Sequence, residues 1–325
     1  MQHSTLGNNM KITIISLDNW GFNKYIVKAL EEDGHQVHHI NFNKYKYRYP
    51  SILHKAYNFF LKTFFKQNLK TRFYGRRIIR KLKEIKARQD LIITIKADHI
   101  DIKSLRELKK YARKSIAFFN DNTQRCPKII PAIPLFDKVY SFEKDDCERF
   151  GMEFTTNWIY NYDPSLNETG FLYQVFHISS RDRRLPIISK IAAELRKKGI
   201  VYKIIMFARK EHSNPDLDYI SEHMPLQEMN EYIKRSQSLL DIHRSGQKGL
   251  TFRVFESLGL QKKLITTNPD IVNYDFYNPQ NILVIDPDNL DIPVEFFKTA
   301  YEPVPPAILD KYLVDKWAEN LIKNL

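Results

Sequence analysis

The chain has 325 residues, 43% of them hydrophobic and 13% aromatic, which suffices for two domains with separate cores. Two cysteines, Cys126 and Cys147, are too few for a secreted disulfide scaffold, no apolar run reaches the ~18 residues of a membrane span, and no hydrophobic leader is expected. The net charge of +13 is concentrated in residues 44–89, which hold 15 Lys and Arg against one acid, Glu84, and whose local +14 exceeds that of the whole chain.

The polar stretch 1–9 is expected to be disordered. From there, short apolar runs alternate with segments of helical period. Strands are predicted at Lys11–Ser16 and Gln36–Asn41, around a helix at Asn23–Asp33 that Gly34 ends. Residues 51–88 read as a long helical region, broken near Gly75. Leu91–Ile95 is a third strand, Ile102–Ala112 a helix, and Ser115–Phe119 a strand running into Asn120, Asp121 and Asn122. A proline-rich stretch, Pro127–Pro134, follows. Lys138–Ser141 then reads as a strand and Lys144–Phe150 as a helix. Residues 161–170 (NYDPSLNETG) are turn-rich and polar, and mark a linker.

A second series opens with strand Leu172–Ile178, the basic loop Ser179–Arg184 and helix Ile187–Lys198. Strand Tyr202–Phe207 and helix Pro225–Ser236 come next. Ser238–His243 reads as a buried strand, and Arg244–Gly249 as a polar loop with two glycines. Thr251–Leu260 is a helix stopped by Gly259. Lys263–Thr267 and Asn281–Ile285 are strands, and Pro306–Leu325 is an amphipathic C-terminal helix. Two βα series predict two Rossmann-like, doubly wound α/β domains, at 10–162 and 170–305. Ligands of such sheets bind at the carboxyl ends of the strands, here in a cleft that the domains face.

The most informative stretch is 238–268. A glycine loop that feeds a helix N-terminus is an anion site, because free N–H groups and the helix dipole point the same way. Arg253 and Glu256 lie three apart, on one helix face, and the plain alternative is a surface ion pair. Gly249, Leu250, Thr251 and Glu256 resemble the donor-binding signature of GT-B glycosyltransferases, of the kind found in lipopolysaccharide and capsule biosynthesis. The resemblance covers roughly residues 225–285. It implies a loop meeting donor phosphates, Glu256 on the donor ribose, and Arg253 at a basic position of some branches. It also implies a C-terminal helix, 306–325, packed across the domain junction. Many retaining members carry a second Glu eight positions earlier, where this chain has Lys248. The sugar-contacting role of that Glu is therefore not transferred, and the stereochemical outcome stays open.

Other candidates fall at predicted strand ends. Arg181, Arg183, Arg244 and Ser245 suit a phosphate-bearing donor, since the guanidinium fork matches phosphate; a solvated charge run is the alternative. An inverting transferase needs a base near the acceptor hydroxyl. Asp121 is the first choice and Asp18 the second, though either serves equally as a turn or helix cap. His243 is placed to touch the leaving phosphate. Asn19 and Trp20 lie beside Asp18 on the acceptor side. No Asp-x-Asp motif stands at a convincing place, since Asp286-Pro287-Asp288 is late and beside a turn. No cofactor and no obligatory metal are expected.

Segment 44–89 also holds ten aromatics. Basic and aromatic residues together point to an anionic partner surface. One candidate is a membrane leaflet carrying a lipid-linked glycan acceptor, with Arg76, Arg77, Arg80 and Lys81 as contacts. Others are nucleic acid, stacked on Tyr and Phe, or a helical insertion whose aromatics are core. The membrane is favoured, which places the protein in the cytoplasm, peripheral to the inner membrane face. The competing functions are a non-catalytic nucleic-acid-binding protein and a GT-B-type nucleotide-sugar epimerase.

Overall fold

The computed structural model describes residues 9–164, 170–209 and 214–323. Most of the stretch expected to be disordered, 1–8, lies outside these, as do residues 165–169 of the expected linker. The chain divides into two compact units. One holds the described residues up to Thr155 and again from Ala318, and the other spans Thr156–Trp317.

The first unit runs β1 (Lys11–Ser16), α1 (Asn23–Glu32), β2 (Gln36–Asn41), α2 (Ile52–Phe65), α3 (Leu69–Ile85) and β3 (Gln89–Ile95). It continues with α4 (Ile102–Leu108), β4 (Ala112–Phe119), β5 (Lys138–Ser141), α5 (Lys144–Phe150) and β6 (Glu153–Phe154). All six strands are parallel, in the order β2-β1-β3-β4-β5-β6. Ile12, Ile14, Ile92, Ile93, Ile116 and Phe118 are fully buried. Near-continuous apolar runs are what parallel strands covered on both faces require.

The second unit runs β7 (Tyr173–Ser180), α6 (Leu185–Lys197), β8 (Tyr202–Phe207), β9 (Asp218–Ile220), α7 (Leu226–Lys234) and β10 (Ser236–Asp241). Then come α8 (Phe252–Gly259), β11 (Lys263–Thr266), β12 (Ile282–Val284), α9 (Pro306–Leu309) and α10 (Val314–Lys323), whose residues from Ala318 count with the first unit. Its strands are also parallel, in the order β12-β11-β10-β7-β8-β9. Both sheets are doubly wound, as the βα rhythm predicts.

Several elements differ from the sequence reading, each for a local reason. The helical region 51–88 does not break at Gly75. It breaks at 66–68, where Lys66 takes a left-handed φ of 52° and Asn68 caps α3 by accepting from the Lys70 N–H. Gly75 lies buried inside α3, facing α4: a Cβ there would collide with Asp101 Oδ2 and Ser104 Oγ. Glycine therefore lets the two helices approach, rather than ending one. The segment 306–325 is not one helix. It is α9, a 3-10 turn at Asp310–Tyr312 and α10, separated at Leu313, whose ψ of 145° is extended. The helix expected at 102–112 stops at Leu108, because Ala112 already pairs with Gln89 in the sheet.

Gly75→Ala is expected to lower stability by ~1–3 kcal/mol through overpacking, against the ~1 kcal/mol that alanine contributes in a helix interior. Urea unfolding measures this. A stabilised variant would mean that α3 and α4 do not touch at this point.

Candidate functional site

The order of the second sheet reverses beside β7: β8 and β9 lie on one side, and β10, β11 and β12 on the other. The carboxyl ends of β7 and β10 therefore flank a topological switch point, the place where open α/β sheets bind ligands. β7 leads into Arg181–Arg184. β10 ends at Asp241 and leads into the loop 242–250, which feeds α8. Two separate stretches of sequence meet here because of strand order alone.

Asp241, which the sequence reading missed, organises the loop. It is 3% exposed. Its Oδ1 accepts from the Thr251 hydroxyl at 2.7 Å and its Oδ2 from the Thr266 hydroxyl at 3.0 Å. Thr251 in turn caps α8, its Oγ accepting from the Arg253 N–H at 3.1 Å. Asn268 Nδ2 donates to the Lys248 carbonyl at 2.9 Å, and Gln247 Nε2 to the Gly249 carbonyl at 3.0 Å. Gly249 is buried. Leu250 is buried too and packs with Val254, Phe255 and Leu258 in the core, so its side chain anchors the loop from below.

The stretch 157–163 runs along α8. Asn157 Nδ2 donates to the Leu250 carbonyl at 2.8 Å. The Trp158 ring meets Phe252 edge-on at 4.8 Å. A Cβ on Gly259 would collide with the Asn161 carbonyl oxygen and stand 2.5 Å from Ile159 Cγ2. Gly259 is thus the last helical residue and a close-approach point, while the left-handed turn after the helix falls on Gln261, with φ 49°.

Glu256 lies beneath the loop, with its side chain 2% exposed. One oxygen pairs with Arg253 Nη1 at 2.7 Å, and the other accepts from the Tyr160 hydroxyl. Arg253 is 12% exposed and lies 5.8 Å over the Phe176 ring. The two residues predicted to share a helix face thus form a buried ion pair, closed by a tyrosine from outside the motif.

The basic loop divides into two roles. Arg184 donates through its main-chain N–H, Nε and Nη2 to the Asp182 carboxylate, and through Nη1 to the Ile242 carbonyl at 2.9 Å, tying the two switch-point loops together. Arg244 Nη2 reaches Asp182 at 3.3 Å. Burial pushes the Asp182 carboxyl up, but the Arg184 hydrogen bonds outweigh it and hold the group down at about 2. Arg181 and Arg183 are exposed, as is Ser245.

His243 sits at this mouth. Its main-chain N–H donates to Thr267 Oγ at 3.0 Å, and its Nδ1 lies 2.7 Å from the same hydroxyl. Burial lowers its pKa, with Asp241 opposing in part. A second histidine, His177, lies fully inside, between the Leu240 carbonyl at 2.8 Å and Ser179 Oγ at 2.9 Å.

The remaining candidates belong to the first unit. Asp18 is 8% exposed and accepts from the main-chain N–H groups of Gly21, Phe22 and Asn23 at 2.7–3.1 Å. Its carboxylate shapes the turn into α1, beside Asn19 and Trp20. Asp121 pairs with Arg125 and, at 3.4 Å, with Lys96. Near them, burial raises the pKa of Asp98 and lowers that of His99. Arg76, Arg77, Arg80 and Lys81 are exposed on α3; Lys81 pairs with Glu84 at 2.6 Å, and Arg77 lies 5.4 Å over the Phe73 ring. Among the described residues, no group of three or more His, Cys, Asp or Glu could hold a metal ion, and Asp286 closes its own turn by accepting from the Asp288 N–H.

No protein-family model matches the chain, and no curated protein sequence matches it. Solved structures do. The chain is similar to a UDP-forming α,α-trehalose-phosphate synthase from Burkholderia xenovorans in complex with glucose-6-phosphate, with a TM-score of 0.59 and 10% identity, covering 97% of this chain and 99% of that one. Anabaena HepE in complex with UDP and glucose aligns with a TM-score of 0.58 and 10% identity, over 97% and 98%. AviGT4, a glycosyltransferase involved in avilamycin A biosynthesis, gives 0.58 and 10%, over 97% and 96%. At these identities the likeness establishes the fold, which is that of the GT-B glycosyltransferases: two parallel-sheet α/β units.

Asn157, Tyr160, His177 and Asp241 escaped the sequence reading. Asp241 was legible only as an interior residue of the strand read at Ser238–His243, which in the structure ends at Asp241. Asn157 and Tyr160 lie in an aromatic-rich run, NWIYNY, whose density was the one available signal. The buried His177 yields a pH test. Burial depresses its pKa from 6.5 to about 3, so the unfolded chain binds the proton more readily. Its contribution to stability is present above the unfolded value of 6.5 and is lost as pH falls from there toward the folded value. The slope is at most ~1.4 kcal/mol per pH unit. Chemical unfolding at a series of pH values should show this acid slope, and His177→Asn should flatten it.

Proposed function

We propose that the protein is a glycosyltransferase that takes its donor as a nucleotide sugar in the second unit. The observation that carries this reading is the Gly249–Thr251 turn at the β7/β10 switch point, where it meets the N-terminus of α8 on a GT-B fold. Main-chain N–H groups and the helix dipole favour a phosphate there. Arg244, with Arg181 and Arg183 from the facing loop, supplies the cations, and His243 is the ring we assign to the leaving phosphate. Arg253 and Glu256 support this pocket as an internal pair; Glu256, which the resemblance implied for the donor ribose, is buried with both carboxylate oxygens taken up by Arg253 and Tyr160, and is assigned to holding the pocket instead. HepE and trehalose-phosphate synthase, which share the fold, bind UDP or form it, so UDP is the first nucleotide to test.

The acceptor we assign is a bacterial surface glycan, lipopolysaccharide or capsule, presented at the cytoplasmic face of a membrane. The basic segment 44–89 supports this, since the other residues of the chain sum to no comparable positive charge. For an inverting reaction, Asp121 is the proposed base in preference to Asp18, whose oxygens already accept three main-chain N–H groups.

Thermal unfolding with UDP, GDP, dTDP and CMP tests the donor assignment. A nucleotide present at 100 times its Kd should add ~2.7 kcal/mol of stability. Gly249→Val should abolish that gain by filling the approach to the turn. Turnover of a nucleotide sugar with release of the free nucleotide should fall in parallel. If no nucleotide stabilises the wild type while generic RNA does, the function is nucleic-acid binding. If a nucleotide sugar is epimerised without transfer, the same pocket serves the other chemistry.

A further inference from the structure

The helix α2 is exposed on an unusual scale. Of its 14 residues only Asn58 and Leu61 are buried. Asn58 ties the helix down, accepting from the Leu69 N–H at 2.8 Å and donating to the Tyr49 hydroxyl at 2.7 Å. By contrast Ile52, Leu53, Tyr57, Phe59, Phe60 and Phe64 are 47–86% exposed. At 3.6 residues per turn these six side chains fall within one arc of roughly 160°, opposite the Asn58–Leu61 stripe; Phe65, the last residue of the helix and 58% exposed, falls outside that arc. Lys55 and Lys62 lie together along one edge of that arc. A contiguous exposed apolar face of this size marks an interaction surface, and an apolar arc rimmed by lysine is the pattern of a helix lying in a membrane interface. The helix is ~21 Å long, and no helix of the described residues is long and apolar enough to cross a membrane.

We propose that α2 is a membrane-docking helix, which sinks its apolar arc into a leaflet containing anionic lipid while the cations of α3 meet the headgroup phosphates. This rests on the membrane part of the proposed function and names the element responsible. Charge selects the occupant. Arg72, Arg76, Arg80 and Lys83 of α3, with Lys103, line a groove of about 480 Å³ whose acids, among the described residues, are Asp101 and Glu107. A second copy of the chain would bring one +14 segment against another, and like charges oppose that pairing. An anionic leaflet offers both an apolar interior and a negative surface. The anchor is therefore hydrophobic as well as electrostatic. Salt alone should not strip the protein from the membrane, in contrast to a purely basic patch, whose attraction is screened over about 8 Å at physiological ionic strength.

The test compares the full chain with Phe59→Ser/Phe60→Ser/Phe64→Ser in co-sedimentation with phosphatidylcholine vesicles, with and without phosphatidylglycerol, at low and high salt. The wild type should bind the anionic vesicles and retain a bound fraction at high salt. The triple variant should bind at least about tenfold more weakly, which is ~1.4 kcal/mol, with unchanged circular dichroism, since these positions face solvent. Phe60→Trp supplies a second reading. The emission of the introduced indole should shift to the blue on anionic vesicles and be quenched by brominated acyl chains. If the wild type ignores anionic vesicles, the membrane reading itself falls. If the wild type binds but the triple variant binds equally well, or if the indole emission of the Phe60→Trp variant does not move, docking is electrostatic only and the role of α2 is overturned. Loss of a concentration-dependent dimer in the triple variant, without loss of vesicle binding, would assign the arc to self-association.

Discussion

Everything at the site of the second unit depends on how α8 is held. The helix is short, Thr251 caps its N-terminus, and six of its eight residues are buried. A helix of this length has little stability of its own. Position comes from the stretch 157–163, which meets it at Leu250, Phe252, Glu256 and Gly259. The Gly259 contact sets the distance, because a side chain there would collide with main chain, which cannot yield as a flexible side chain does. Burial of the Arg253–Glu256 pair follows from that closeness. Two charges leave water here, and the Tyr160 hydroxyl helps to satisfy them, as a buried pair requires.

The polar residues around the switch point divide between holding and presenting. Asp241, Thr251, Thr266 and Asn268 are consumed in hydrogen bonds that fix the loop. Asp182 and Arg184 tie the end of β7 to the strand beside it. What remains facing solvent is cationic or neutral: Arg181, Arg183, Arg244 and the rim of His243. The depressed pKa values of His177 and His243 belong to the same arrangement. Burial keeps both rings neutral, so neither competes with the arginines nor adds an unpaired charge inside.

The first unit repeats the architecture but uses its polar residues differently. Asp18, at the corresponding strand end, is committed to three N–H groups of its own turn. Asp121 lies between two cations. The distinctive feature is instead the α2–α3 pair, where one helix turns its apolar residues outward and the other its arginines. Gly75 seats α3 against α4, so the basic row is fixed on the body of the unit while α2 stands out from it.

Much of this was legible in the sequence because it is local. Period-2 and continuous apolar runs marked most of the strands, and βα alternation marked two doubly wound sheets. The glycine loop before a helix, with Arg253 and Glu256 three apart, pointed to the site, and the charge count isolated 44–89. One local feature was misread: Gly75 looks like a helix breaker in one dimension, yet in space it is a point of close approach; Gly259 does end its helix, but its close approach to residues 159–161 could not be read from sequence. Other features had no local signature. Asp241 gains Thr266 as a partner only because β10 lies beside β11, and Tyr160 meets Glu256 across 96 residues of chain. The outward face of α2 is equally invisible, since an apolar helix reads as core until something fails to cover it. The sequence by itself determined which residues are apolar, charged or turn-forming, and so the elements and their order. Tertiary structure alone decided which of those residues are buried, paired or left facing water, because burial and pairing depend on strand order and contact across distant segments.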